Sequence, residues 1–141
     1  MVQYNKYVAL LVIDFQNDFS DPQGSHYIPG ASEIVSYINA EINLCRAGGG
    51  EVIYTQDWHP ERAKHFESHN GRVGEHCVRN SWGAQIHPDL EISGDVLRKG
   101  ILVDKEMTPV CGYKQHIAAL EAFNSFHRMT EKLGCIITHS R

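Results

Sequence analysis

The sequence predicts an α/β protein built on a mostly parallel sheet, and three observations carry that expectation. Tyr7 to Ile13 is a continuous apolar run, too short for a comfortable helix and without polar alternation, which reads as a strand buried on both faces. A near-helical recurrence of apolar residues follows and leads into a second apolar run, the strand, helix, strand order of a parallel pair with a right-handed crossover. Each of the first three predicted strands also ends in an ionisable residue: Asp14, Asp57 and Lys99.

Taken in order, the first strand gives way at Asp14 to a loop whose Asp21-Pro22-Gln23-Gly24 carries clear turn chemistry. Pro29-Gly30-Ala31-Ser32 opens a helix with Ile34, Val35, Ile38, Ile42 and Leu44 at near-helical spacing, and Gly48-Gly49-Gly50 ends it. Glu51 to Thr55 is the second strand. Gln56 to Asp95 has little periodicity and is long for a connection, which marks it as a functional loop. Asp95 to Lys99 reads as a third strand closed by Gly100, His116 to Leu133 as a helix, and Cys135 to Thr138 as a fourth strand; Met107 to Tyr113 has no clean period.

At 141 residues the chain suits one domain and one core. A net charge of -4 with no basic cluster gives no reason to expect nucleic acid. The four cysteines, Cys45, Cys77, Cys111 and Cys135, lack Cys-x-x-Cys spacing, which argues against a zinc ribbon or a disulfide framework and suits a reducing cytosol. No apolar stretch approaches the roughly 20 residues of a membrane span, and the start lacks signal-peptide character, so the expected location is cytoplasmic.

The 9 histidines are the compositional outlier. Asp57-Trp58-His59 places a carboxylate and an imidazole two positions apart on an extended chain, where both point to one side, as a divalent metal requires. His65, His69 and His76 follow as candidates for further ligands. The plainer reading of Asp57 and His59 is a polar loop at a strand end. In open parallel sheets ligands bind beyond the carboxyl ends of the strands, so Asp14, Asp57 and Lys99 at one rim define a site. Lys99 is the obvious partner for a buried Asp14, the alternative being an Asp14 that caps its own loop and a snorkelling Lys99.

The combination Val-Ile-Asp14-Phe-Gln-Asn17-Asp18-Phe19, Tyr-Thr-Gln-Asp57-Trp-His59-Pro60, His65-Phe66, His76-Cys77-Val78, Trp82-Gly83-Ala84-Gln85 with His87-Pro88, and Lys99-Gly100 resembles the nicotinamidases of the isochorismatase-like hydrolase superfamily. The likeness covers roughly Val8 to Glu106, in the family's order and spacing. It implies a Rossmann-like three-layer α/β/α fold over a single domain, 1–141, whose 106–141 tail departs from the pattern. It also implies hydrolysis of nicotinamide to nicotinate and ammonia, in NAD salvage, by a cysteine nucleophile with an aspartate and a lysine. Carried over, Asp14 is the base, Lys99 holds its carboxylate, and Phe19 walls the substrate ring. Asp57, His59 and His76 bind a divalent metal, with His65 a further ligand; zinc is expected first, and iron or manganese accepts the same donors. Cys77 is structural by the same resemblance.

The departures carry their own expectations. A Trp that stacks on the substrate ring in relatives is replaced by Val73, followed by Gly74, a loss worth about 1 kcal/mol. After the lysine, Met107-Thr108-Pro109-Val110-Cys111 stands where the family has an aromatic-Ser-x-Phe stretch. Neither Cys111 nor Cys135 sits in the Gly-rich strand-to-helix turn that carries the nucleophile. The expectation is therefore a truncated or frame-shifted chain, or a splice form, with an incomplete sheet, whose open edge leaves room for a homo-oligomer. Two functions follow: a metal-dependent amide hydrolase, or a catalytically inactive metal-binding member lacking the nucleophilic cysteine.

Overall fold

The computed structural model describes residues 3–100 and 134–138. Its strands, β1 (Val8–Ile13), β2 (Glu51–Asp57), β3 (Val96–Lys99) and β4 (Gly134–Thr138), form one sheet in the order β3-β2-β1-β4. Every neighbouring pair is parallel. The α/β class with a parallel sheet is thus the observed one. The predicted helix over His116 to Leu133 and the segment Met107 to Tyr113 lie outside the described residues, as does Cys111.

Between β1 and β2 lie two helices, the single turn α1 (Asn17–Ser20) and the longer α2 (Val35–Ala47), which a 3-10 turn at Ala31–Ile34 introduces. Alternation along the strands divides the core in two. Leu10, Val12, Val52 and Tyr54 meet Ile38, Ile42 and Cys45 of α2, with Phe15 and Leu90 completing this cluster. Ala9 and Leu11 point to the opposite face, where Ile13 and Ile53 join them. The uniform apolar run of β1 therefore reflects burial on both sides, as expected of a central parallel strand.

Two expectations are corrected. Leu44 and Ile34 do not belong to the buried stripe of α2, being 57% and 38% exposed. The stripe is Ile38, Ile42 and Cys45, because positions i, i+4 and i+7 share a helix face whereas Leu44 is turned away from it. Strand β2 also runs to Asp57, beyond the apolar pattern that suggested an end at Thr55, because pairing with β3 continues through Gln56 and Asp57. At the other end of α2, Gly49 takes a φ of 80°, the left-handed conformation that turns the chain back towards β2.

Candidate active site

Parallel register builds the site. Ile13 pairs with Thr55 and Asp57 with Lys99, so the strand ends carrying Asp14, Asp57 and Lys99 lie at one rim of the sheet. Asp14 leaves β1 with a φ of 51°, a left-handed turn that aspartate tolerates better than most residues. Its backbone N–H donates to the Thr55 carbonyl at 3.1 Å, and the Thr55 hydroxyl donates to its Oδ1 at 2.8 Å. Its Oδ2 faces Lys99 Nζ at 2.7 Å. Asp14 thus ion-pairs with Lys99 rather than capping its own loop.

The same ammonium donates to Asp57 Oδ1 at 2.5 Å, so one cation serves two carboxylates. Burial favours neutral Lys99, but the charges of Asp14 and Asp57 outweigh it and hold the ammonium above its ordinary range. For Asp57, burial works to raise the carboxyl; neighbouring His59 and the Lys99 charge outweigh that and keep it below the usual carboxylate range.

His59 is 1% exposed, and its Nε2 lies 3.7 Å from Asp57 Oδ1. The long connection after β2 folds back to bring His65 and His76 beside it. One nitrogen from each of His59, His65 and His76 lies within 4.8 Å of the others. His69 does not join this group; its Nδ1 sits 2.9 Å from the Ser68 hydroxyl. His76 Nδ1 lies 2.8 Å from the Gly74 carbonyl, and because a carbonyl only accepts, that nitrogen carries the ring proton and Nε2 keeps a lone pair. Burial first, then the neighbouring imidazoles, pushes His65 down to about 4 and His76 below its ordinary value, which keeps both rings neutral near pH 7.

These residues fit a divalent ion. His65 Nε2 and His59 Nδ1 are buried without a hydrogen-bond partner, a costly state that a metal at His65 would relieve. Three imidazoles with a carboxylate at their edge suit zinc, iron or manganese. Phe19 is half-buried, its ring 5.6 Å from that of His76.

Residues without an assigned role in the sequence reading hold this arrangement. Gln16 is fully buried; its Nε2 donates to the Asp57 carbonyl at 2.9 Å and its Oε1 accepts the Asp57 N–H at 2.7 Å, tying the loop after β1 to the end of β2. Asp18 accepts the Cys77 N–H at 2.6 Å and the Ser25 N–H at 3.1 Å, which anchors the His76 segment. Gly100 has a φ of 78°, and a Cβ there would stand 2.5 Å from His59 Nδ1, so only glycine lets the imidazole lie where it does. The signal for all three was their place in the loops that follow ionisable strand ends, Gln16 and Asp18 within four residues of Asp14 and Gly100 next to Lys99.

The Isochorismatase domain model matches residues 8–122. The chain belongs to the isochorismatase domain family. Its likeness to nicotinamidases runs beyond isolated motifs. It is 37% identical over 97 residues to the nicotinamidase of Escherichia coli, an alignment covering 58% of this chain and 45% of that one. Among solved structures, the zinc complex of the pyrazinamidase of Pyrococcus horikoshii superposes with a TM-score of 0.71 at 27% identity, covering 94% of this chain and 71% of that one. PnC1 of L. infantum, solved with nicotinate, gives 0.65 at 35% identity, covering 73% and 52%. The chain spans about half the length of the curated relatives it matches, from 45% to 59%.

Proposed function

We propose that this isochorismatase-family chain carries the metal, base and lysine of an amide hydrolase acting on nicotinamide, releasing nicotinate and ammonia in NAD salvage. The observation that carries the reading is the meeting of Asp14 and Lys99 at 2.7 Å on the same rim as the three imidazoles. His59, His65 and His76, with Asp57 beside them, would hold a divalent ion, which would supply Lewis-acid anchorage for the pyridine nitrogen. Asp14 accepts the proton of an attacking thiol, sulfur bonds to the carboxamide carbon, and Asp14 returns the proton as the C–N bond breaks and ammonia leaves. Water then cleaves the thioester. Lys99 pairs with one Asp14 oxygen and keeps the carboxylate aimed, while Thr55 fixes the other oxygen.

Cys45 and Cys77 are poor candidates for the thiol. Both are buried, and burial pushes both thiols up, in Cys77 reinforced by Asp57 and Asp18. That observation favours a second reading, a metal-binding member that holds the ring without turning it over. The zinc-loaded protein decides between them. Ammonia release from nicotinamide, lost in Asp14→Asn, with one cysteine alkylated fast and protected by nicotinamide, is the result expected of the hydrolase. Nicotinamide binding without ammonia release identifies the second reading, and absence of nicotinamide binding rejects both.

A further inference from the structure

The loop after α1 brings a further imidazole, His26, to the edge of the three-histidine cluster, and the reaction outlined above gives it no role. Its ring centroid lies 4.7 Å from that of His76 with the planes tilted by 53°. Phe19 packs against the same His76 ring at 5.6 Å. Gly74 leaves room for that ring: a Cβ on it would approach His26 Cε1 to 3.1 Å and Nε2 to 3.4 Å, tighter than ordinary contact. The absence of a side chain at 74 and the presence of an aromatic ring at 26 are two halves of one packing arrangement.

That position is fixed from both sides. The His26 N–H donates to the Asp18 carbonyl at 3.0 Å, and Asp18 also holds the Cys77 N–H beside His76. The Ser25 hydroxyl donates to the Glu75 carbonyl at 3.0 Å and lies 3.1 Å from His26 Nδ1. A hydroxyl has one proton, and this one is spent on a carbonyl that can only accept, so His26 Nδ1–H is the donor to Ser25. In the neutral ring, Nε2 is left as an acceptor. The ring is half-buried, so its orientation is set while part of its surface stays open to a ligand.

We propose that His26 is a specificity-determining residue, its ring forming with Phe19 and His76 the aromatic wall against which a planar heteroaromatic ligand lies when its ring nitrogen is held at the three-imidazole site. The inference rests on the nicotinamide reading and adds to it the side chain that selects for a flat ring. An aliphatic residue at 26 would cover the same area but lose the face and edge preferences of ring pairs.

The test uses the zinc-loaded protein, nicotinamide as the probe, and the variants His26→Ala and His26→Phe. Calorimetry reads affinity for nicotinamide and, separately, for zinc, and histidine side-chain NMR follows the His26 ring. Expected are a three- to tenfold weaker nicotinamide affinity in His26→Ala, on the order of one aromatic pair, retention within about twofold in His26→Phe, and unchanged zinc affinity in both. The wild-type His26 resonances should move as nicotinamide is added. Equal affinity in His26→Ala, a loss in His26→Phe as large as in His26→Ala, stationary His26 resonances, or a parallel fall in zinc affinity each overturns the inference while the nicotinamide reading stands. Wild-type protein that binds zinc but no nicotinamide overturns both.

Discussion

At the scale of single residues, Lys99 is the cation on which two carboxylates depend. Lys99→Met leaves Asp14 and Asp57 facing each other without their ammonium. The expected cost is about 3–5 kcal/mol of unfolding free energy, the range for breaking a buried pair from one side, readable by urea denaturation; a loss under about 1 kcal/mol would show the pairs to be solvent-screened. Gly100→Ala places a methyl group where His59 stands. We expect a folded protein by circular dichroism whose zinc affinity falls about tenfold or more, the scale of losing a group that orients a ligand. The Cys45 thiol is raised by burial above all. A raised value means the native state holds that proton more tightly than the unfolded chain, so this contribution to stability is present below the ordinary thiol range and is lost as pH rises through it. Iodoacetamide near pH 8 should therefore leave Cys45 unmodified in native protein and label it in urea, as mass spectrometry of the digested chain would reveal.

At the scale of elements, the connection from β2 to β3 is held less by regular structure than by side chains reaching across from the loop after β1. Gln16 binds both backbone groups of Asp57, and its Nε2 also donates to the Ala84 carbonyl at 2.7 Å. Asp18 binds the Cys77 N–H where Cys77 takes a φ of 46°. Asp18→Ala strands a buried N–H and releases the strained turn beside His76, a change expected to cost about 1–3 kcal/mol. Limited proteolysis should show faster cleavage between residues 65 and 85 than in the parent protein; an unchanged cleavage pattern would mean the turn is held elsewhere.

At the scale of the whole molecule, sheet and metal site are coupled, because His59 follows directly on β2 and the connection that carries His65 and His76 is braced by Gln16 and Asp18 of the loop after β1. An ion that binds the folded but not the unfolded chain stabilises it by mass action, about 2.7 kcal/mol at a hundred times the dissociation constant. Zinc should raise the midpoint of thermal unfolding by on the order of 10 °C, and a chelator should reverse the rise. His65→Ala with His76→Ala should abolish the response; a rise of equal size in that double variant would point to zinc binding elsewhere. Among the described residues no helix is long and apolar enough to cross a membrane.

Much of this was legible in the sequence because it is written in local pattern. The two-sided burial of β1 follows from its unbroken apolar run, and the candidate pair Asp57 and His59 follows from residue type at a strand end. Alternation and helical period are properties of neighbouring residues, so a sequence carries them by itself. Distances between remote side chains are not local: that Asp57 divides its contacts between Lys99 and His59, that Gln16 and Asp18 brace the site, that Gly100 makes room for His59 and Gly74 for His26, all depend on strand register and on where a long aperiodic connection returns. The sequence by itself determined the class of fold and the chemistry on offer; only tertiary packing decided which groups share a charge, because the chain positions that meet there are set by hydrogen-bonded register and excluded volume.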